Sequence, residues 1–285
     1  MAKRVTVVGS VNLDLTLQVT SLPAPGQTVL ASSLSYAPGG KGANQAIAAA
    51  RAGARVQFVG AVGDDPAAEQ LREHLRGNGV GLDHLVAVSG PSGTAIVVVD
   101  AGAENLIVVV PGANAQVSLG PAVTFDCDVL LTQLEIPVPT VVSAARRAQS
   151  AGAVVMVNAA PAHRESLAAL ASVTDVVIAN EGEAAQWHWP TAHFVTTLGA
   201  RGARYAGVDG EFEVAAPTVT AVDTTGAGDV FAGVLAANWP RAPGSAAQRR
   251  SAIRRACAAG ALATLTPGAG DCAPTAAAIY AAMLD

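Results

Sequence analysis

The chain has little that points to a disulfide scaffold, a metal centre or a membrane span. It contains three widely spaced cysteines, and an odd number predicts free thiols in a reducing compartment. Its five histidines show no metal-binding spacing. The apolar runs at 96–99 and 106–110 are far too short to span a bilayer, and no signal-peptide core precedes the first strand-like run. We therefore expect a cytoplasmic protein without a membrane partner.

Charged residues are also scarce, and so are the motifs of several common nucleotide-binding classes. The 285 residues are 14% charged and 51% hydrophobic with a net charge of −5, which is typical of a folded protein with a sizeable core. The arginine pairs at 249–250 and 254–255 lie at helical spacing, so we interpret them as a solvated helix face and expect no nucleic-acid partner. Neither Gly-x-Gly-x-x-Gly nor a Walker A motif is present, which disfavours dinucleotide dehydrogenases and P-loop proteins.

Residues 223–229, Asp-Thr-Thr-Gly-Ala-Gly-Asp, lead into an apolar run with helical spacing. The pattern predicts that a helix begins near Ala227. Because unpaired N–H groups and the positive end of the macrodipole lie at such a start, and glycines allow close approach, the stretch suits a phosphate. A phosphate would repel Asp229, so we interpret Asp229 as a base that takes a proton from an attacking hydroxyl. The alternative is a Thr/Gly turn in which Asp229 only serves the helix dipole.

A second glycine-rich stretch, residues 38–44, is expected to be a loop that opens onto an alanine-rich helix over 45–52. Lys41 and Asn44 would supply polar groups there, although a glycine-rich helix cap without function remains an alternative. Before it, a buried strand at 4–9 is followed by a predicted loop at 10–14. Asn12 and Asp14 face the same way in that loop and suit the vicinal hydroxyls of a sugar, unless they only form a turn.

The order of predicted elements indicates an α/β fold with two sheets. Strands at 129–134, 154–157, 176–179 and 194–197 alternate with helices, which predicts a mostly parallel sheet. Stretches at 15–19, 28–36, 95–100 and 106–110 have no helices between them, so we expect a small separate sheet. Polar residues at the ends of the parallel strands should converge on one rim: Glu135, Asn158, Asn180, Glu183 and Thr197.

Two of these stretches resemble the signatures of a known family. Residues 223–229 are similar to the C-terminal signature of the ribokinase family of sugar kinases, and residues 39–46 resemble its N-terminal signature in the ribokinase form. The resemblance runs from about residue 5 to the C-terminus. It implies one three-layer α/β/α domain over 1–285, with a β-sheet lid formed by roughly 12–38 and 93–112. It also implies in-line transfer from ATP·Mg²⁺ to a sugar hydroxyl, most simply the 5-hydroxyl of D-ribose, and a homodimer formed through the lid.

The resemblance also implies residue roles. Asp229 would be the base, and Gly226, Ala227 and Gly228 would form an anion hole for the transferred phosphoryl group. The implied sugar contacts are Asn12, Asp14, Gly40, Lys41, Asn44, Glu135 and Asp229. The implied contacts to ATP and Mg²⁺ are Asn180, Glu183, Thr197, Gly199, Gly202, Gly228 and Cys257. A monovalent cation, K⁺, would be held by Asp223, Thr225, Ala263, Thr266, Gly268 and Cys272.

Three departures from the family pattern affect the nucleotide side. The connection over 181–193 is shorter by about a helix, so we expect a rearranged sheet edge or nucleotide rim. Cys257 stands where a histidine often lies beside adenine. Cys272 stands in the implied K⁺ site where serine is usual, and sulfur is a poor partner for a hard cation. A kinase of another sugar or of a nucleoside remains an alternative. A non-catalytic sugar- or nucleotide-binding protein is another, which the short connection favours and Asp229 opposes.

Overall fold

The computed structural model describes residues 2–102, 104–241 and 244–284. In chain order the strands are β1 (Arg4–Val8), β2 (Asn12–Gln18), β3 (Ser33–Gly39), β4 (Arg55–Val62), β5 (Val80–Ala87), β6 (Gly93–Val99), β7 (Asn105–Val110), β8 (Val129–Thr132), β9 (Val154–Asn158), β10 (Val176–Asn180), β11 (His193–Thr197), β12 (Ala203–Gly207) and β13 (Gly210–Val214). The helices are α1 (Lys41–Arg51), α2 (Pro66–Gly77), α3 (Val138–Ser150), α4 (Arg164–Leu170), α5 (Glu181–Ala184), α6 (Ala227–Asn238), α7 (Ala246–Ala263) and α8 (Ala276–Ala281). Short 3₁₀ turns cover Gly112–Gln116, Ala171–Val173 and Gly199–Arg201.

The large sheet has the strand order β13-β12-β11-β10-β9-β8-β1-β4-β5. Its strands pair in parallel from β5 to β11, and β12 and β13 close one edge as an antiparallel meander. Helices cover both faces, so the central strands are mostly apolar and contribute to two buried clusters, one on each side. The α/β class with a mostly parallel sheet is confirmed. Strands β5, β12 and β13 had not been predicted.

The small sheet, which we call the lid sheet, has the order β3-β2-β6-β7. Only β2 and β6 pair in parallel; the other pairs are antiparallel. The predicted strand at 28–36 is partly wrong, because residues 28–32 run outside the sheet and β3 begins at Ser33. The predicted loop at 10–14 is also wrong over its second half: Asn12 and Asp14 lie on β2, where alternation still places both side chains on one face.

The glycine-rich stretch at 38–44 is more regular than predicted. Strand β3 runs to Gly39 and α1 begins at Lys41, so Gly40 alone connects them. Gly40 has a φ of 89°, and a Cβ there would lie 2.8 Å from the Asn12 nitrogen. Glycine is required at this position because the conformation is left-handed and a neighbouring backbone lies against it.

The short connection after β10 does not disturb the pairing of the strands on either side of it. The expectation that the sheet edge or the nucleotide rim is rearranged stays a prediction. Strands β10 and β11 are parallel neighbours, with Asn180 opposite Thr197. Helix α5 makes a single turn, and Trp187 then packs into the buried cluster on that face, edge-on to Phe194 with ring centroids 6.4 Å apart. The indole N–H of Trp187 donates to the Trp189 carbonyl oxygen at 2.8 Å. Aromatic area thus covers the strands that a longer helix would cover.

In the part of the chain that the structure describes, no helix combines the length and the apolar character needed to cross a membrane.

Candidate active site

Two helices, α1 and α6, begin at the same cleft, and each begins at a left-handed glycine. Gly226 precedes α6 with a φ of 78°, and a Cβ there would lie 2.8 Å from the Ala269 Cα. The prediction that a helix begins near Ala227 is confirmed. Among the described residues, none accepts a hydrogen bond from the N–H of Gly228, and the space beside its Cα is open. This helix start can therefore bind an anion.

Asp229 lies in the first turn of α6 and is 8% exposed. Its Oδ1 accepts a hydrogen bond from Gln45 Nε2 at 2.8 Å. Its Oδ2 is 3.4 Å from Asn44 Nδ2, a weak contact at best. One carboxylate oxygen is thus held firmly, and the other has spare capacity to accept a proton.

Lys41 and Glu135 meet beside Asp229. Glu135 follows β8, and its Oε2 accepts hydrogen bonds from Ser10 Oγ at 2.5 Å and from the Lys41 backbone nitrogen at 3.2 Å. The nearby carboxylate of Asp229 raises the pKa of Lys41; burial opposes this, and Glu135 and Glu183 add to it. Lys41 therefore stays protonated and offsets the negative charge of the carboxylates around it.

Asp14 and Asn12 reach the same place from the lid sheet. Burial raises the pKa of Asp14 to about 7, and the charges of Glu135 and Asp229 add to the rise. Asp14 Oδ1 is buried with no hydrogen-bond partner among the described residues. Asn12 Oδ1 accepts from Asn114 Nδ2 at 2.8 Å. Asn12, the acidic side chains and Lys41 thus bring amide, carboxylate and ammonium groups into one small space, as recognition of a polyol requires.

On the other side of Gly228 lies a cavity of about 600 Å³. Small and apolar residues from α6, α7 and the segment after β13 form most of its wall, and Glu181 is the charged residue among the described residues that line it. The predicted nucleotide contacts found in its lining are Asn180, Thr197, Gly199, Gly202, Gly228 and Cys257. The convergence of Asn180 and Thr197 follows from the register of β10 and β11.

Glu183 lies beside this cavity rather than in its wall. Its Oε2 accepts from the Asn180 backbone nitrogen at 2.9 Å, and Asn180 Oδ1 accepts from the Glu183 nitrogen at 2.8 Å, so the pair caps α5. The other carboxylate oxygen of Glu183 keeps its capacity to bind a hydrated cation. In the described part of the chain, no three His, Cys, Asp or Glu side chains cluster as a metal site.

Cys257 is an unreactive part of the cavity wall. It is 3% exposed, and its thiol donates to the Val214 carbonyl oxygen at 3.7 Å. Burial raises the pKa of Cys257 to about 12. The side chain therefore contributes shape to the cavity and no charge.

Five of the six predicted cation ligands lie on two loops that Asp223 joins, and the sixth, Ala263, is the last residue of α7. Its Oδ1 accepts from the Thr225 nitrogen and its Oδ2 from the Gly268 nitrogen, both at 2.8 Å. Burial works against ionisation, but these hydrogen bonds outweigh it and lower the pKa of Asp223. The Cys272 thiol donates to the carbonyl oxygens of Ala269 at 3.4 Å and Thr225 at 3.9 Å, and burial raises its pKa to about 11. The remaining members are Ala263, at the end of α7, and Thr266, on the exposed loop that follows.

Comparison with known proteins agrees with this geometry. The profile of the pfkB family carbohydrate kinase matches residues 2–276. The chain belongs to the pfkB family of carbohydrate kinases. It is 37% identical to a ribokinase of Bacillus subtilis over 80% of its length and 83% of that protein. It is also 34% identical to a bifunctional ribokinase/ribose-5-phosphate isomerase A of Fructilactobacillus sanfranciscensis, of which it spans 48%. A ribokinase of Arabidopsis thaliana, solved with ribose and ATP, superposes with a TM-score of 0.85 at 27% identity over 99% of each chain.

Several polar residues of this pfkB-family site were missed in the sequence. Ser10 holds Glu135, Asn114 holds Asn12, and Gln45 holds Asp229. A signal existed for Gln45, because it and the neighbouring Asn44 are the two amides in an otherwise small or apolar stretch of a buried helix. Asn114 carried no signal, since it lies on a 3₁₀ turn that is distant in sequence from its partner. Asn158, expected on the rim, contacts Gln45 instead of the cavity.

Proposed function

We propose that this chain transfers the γ-phosphoryl group of ATP to a sugar hydroxyl, and that the sugar is D-ribose, phosphorylated at its 5-hydroxyl. The observation that carries the proposal is the position of Asp229: a buried carboxylate with one oxygen available, between a polyol-type polar set and the cavity beside Gly228. Family membership supports the kinase chemistry, and the ribokinase names of the relatives support the substrate.

The proposed step is an in-line displacement. Asp229 Oδ2 accepts the proton of the sugar hydroxyl, and the sugar oxygen forms a bond to the γ-phosphorus while the bond from phosphorus to the bridging oxygen breaks. ADP leaves with that electron pair. The backbone at Gly226, Ala227 and Gly228 stabilises the charge on the transferred group, because the Gly228 N–H is free at the positive end of α6. Asn12, Asp14, Gly40, Lys41, Asn44 and Glu135 orient the sugar.

We propose that Mg²⁺ binds with the nucleotide. Magnesium retains several waters and uses few protein carboxylates, which fits the single free oxygen of Glu183 beside the cavity and the exposed Asn180. When bound, the ion would neutralise phosphate charge.

We also propose K⁺ as an activator. The two loops joined by Asp223 bring together its carboxylate and the carbonyl oxygens of Thr225 and Ala269, which are hard ligands suited to an alkali cation. An ion there would hold the loop before Gly226 in place. Exchange of K⁺ for tetramethylammonium in the assay below tests this role, and unchanged turnover would contradict it.

We propose that the lid sheet pairs with a second copy of the chain. Residues 106–110 of the edge strand β7 are all apolar and 44–55% exposed, and Tyr36 on β3 is 56% exposed. Monomeric proteins rarely leave such an edge uncovered.

We propose that the protein is cytoplasmic. The buried free thiols of Cys127, Cys257 and Cys272 favour a reducing compartment, and cell fractionation would test this location.

The test is a coupled ADP-release assay over D-ribose, 2-deoxyribose, hexoses and nucleosides, with the product identified by ³¹P NMR. We expect the highest kcat/KM with D-ribose and a 5-phosphate product. Asp229→Asn should lower kcat by about 10²–10⁴-fold. Its sugar affinity, measured by calorimetry, should change little because the other polar groups remain. Binding of ribose and ATP without turnover by the unmodified chain would favour the non-catalytic alternative.

A further inference from the structure

We infer that Gln45 is a positioning residue for phosphoryl transfer: together with Gln133 it forms a buried amide chain that holds Asp229 Oδ1 and leaves Oδ2 free for the sugar hydroxyl. The inference rests on the proposed kinase function.

The chain of amides runs through the core between α1, β8 and α6. Gln133 Nε2 donates to Gln45 Oε1 at 2.6 Å. Gln45 Nε2 donates both to Asp229 Oδ1 at 2.8 Å and to Asn158 Oδ1 at 2.9 Å. Gln45 and Gln133 are 0% exposed, so water does not share these hydrogen bonds. Both polar atoms of the Gln45 side chain form hydrogen bonds, and its partners Gln133, Asn158 and Asp229 are buried.

The partners on both sides of Gln45 determine which of its side-chain atoms is the nitrogen and which is the oxygen. An ionised Asp229 only accepts hydrogen bonds, so the Gln45 atom that faces it is the nitrogen. Asn158 Nδ2 donates to the Ile178 carbonyl oxygen at 3.2 Å, which places Asn158 Oδ1 towards Gln45 and requires the same nitrogen there. Gln45 Oε1 must then face a donor, and Gln133 Nε2 supplies it. One orientation of Gln45 satisfies all three contacts.

Two glycines make room for this arrangement. A Cβ at Gly9 would lie 2.1 Å from Gln133 Oε1, so the end of β1 leaves the space that Gln133 occupies. A Cβ at Gly233 would lie 2.3 Å from the Gln45 carbonyl oxygen, so α1 and α6 cross in direct contact one turn beyond Asp229. The base and Gln45 are thereby placed on two helices whose spacing is set by backbone contact.

The consequence concerns which oxygen of Asp229 reacts. Rotation of the carboxylate about its Cβ–Cγ bond would exchange its oxygens, and the hydrogen bond from Gln45 opposes that rotation. Among the described residues, Oδ2 has only the contact of 3.4 Å with Asn44 and therefore remains ready to accept a proton. Loss of the Gln45 donor should leave sugar and nucleotide bound while the base loses its alignment, so kcat should fall and KM should not.

The test compares Gln45→Met, Gln133→Met and the double variant. Each single variant leaves the other glutamine amide buried without its partner. The double variant replaces both amides with apolar groups of similar shape, so only Asn158 Oδ1 and Asp229 Oδ1 lose a donor, and it is the better folded choice. Gln57→Met is the matched control, because Gln57 Nε2 also donates to an aspartate, Asp83, at 2.9 Å but outside the site. We expect kcat about 10–100-fold lower for Gln45→Met and the double variant, with both KM values within about threefold of wild type. Gln57→Met should match wild type.

A double-mutant comparison separates positioning from a merely structural role. If Gln45 acts through Asp229, adding Gln45→Met to Asp229→Asn should not lower the residual turnover further. Two results would overturn the inference. The first is a folded Gln45→Met/Gln133→Met variant with wild-type kcat. The second is a loss of turnover from Gln45→Met that is as large in the Asp229→Asn protein as in the wild type. If Asp229→Asn itself kept normal turnover, the assignment of the base would fail instead, which distinguishes the two failures.

Discussion

The two sides of the cleft, which we propose hold sugar and nucleotide, differ in what their residues offer. On the sugar side, the charges of Asp229 and Glu135 act on both Lys41 and Asp14, and buried polar side chains hold these two carboxylates in place. On the nucleotide side most of the described wall is glycine, alanine and other apolar residues, and its polar members are Asn180, four threonines and the charged Glu181. We therefore expect polar side chains to recognise the sugar, and the shape of the cavity together with backbone groups to recognise the nucleotide.

This difference shows where each side is vulnerable. A polar set of this kind depends on every partner, because an unpaired buried group costs about 1–3 kcal/mol. A wall of small residues tolerates the loss of single atoms but not the addition of bulk. Substitutions should therefore affect the two sides by opposite means: removal of polar atoms on the sugar side and added volume on the nucleotide side.

Of the three substitutions that test this comparison, the largest effect is expected from added volume at Gly260, in the part of α7 that lines the cavity. Gly260→Leu should raise the KM for ATP by roughly 10–100-fold, because overpacking costs about 1–3 kcal/mol, and leave the KM for sugar unchanged. Gly260→Ala is the control, since its Cβ would lie 3.4 Å from the nearest atom, an ordinary contact. Steady-state kinetics with each substrate varied would measure both. An unaltered KM for ATP in the leucine variant would mean that the nucleotide binds elsewhere.

The next effect concerns the lid sheet, which supplies Asn12 and Asp14 to the sugar side. Val108 on β7 is 50% exposed, and Val108→Asp should weaken the proposed dimer at least about tenfold, because a carboxylate would enter an apolar contact. Sedimentation velocity over a concentration series measures this. Val208→Asp is the control, because Val208 is 69% exposed at the far end of the large sheet. A wild-type chain that sediments only as a 28.3 kDa species at micromolar concentration would contradict the dimer.

The smallest effect is a change in pH dependence at Asp14. Its pKa is raised to about 7, mainly by burial, so the folded state retains a proton that the unfolded state has lost above pH 3.8. Stability therefore falls as pH rises from about 4 to 7, and that cost is fully present above pH 7. Asp14→Asn removes the cost and should raise the Tm more at pH 8 than at pH 5, by on the order of 5 °C.

The control for Asp14 is Glu104→Gln, because Glu104 is an exposed carboxylate in the hairpin of the same lid sheet. Calorimetry of the two variants and the wild type at both pH values compares them directly. An equal change in Tm at pH 5 and pH 8 for Asp14→Asn would show that Asp14 is ionised throughout this range in the folded protein.

Local patterns predicted the helix start at Ala227 and the alternation of strands and helices well, because both depend on neighbours in the sequence. The predictions failed where one segment depended on another. Residues 28–31 have strand-like composition but run outside the lid sheet, and Ser32 donates a single backbone hydrogen bond to Gln18 of β2. The short connection after β10 gave no sign that Trp187 would pack into the buried cluster on that face. Strands β12 and β13 were missed because strands of five residues carry a weak pattern.

By itself, the sequence determined the chemistry available to this protein. Two glycine-led helix starts, the carboxylate of Asp229 and the polar ends of parallel strands are properties of local order. Together with the resemblance of residues 39–46 and 223–229 to the ribokinase family signatures, they indicated a sugar kinase. Only the tertiary structure decided how that chemistry is held. Gln45 and Gln133 are 88 residues apart, and Gln45 and Asp229 are 184 apart, yet their side chains share hydrogen bonds. Such contacts follow from close packing of α1 against α6, which spacing along the chain does not encode.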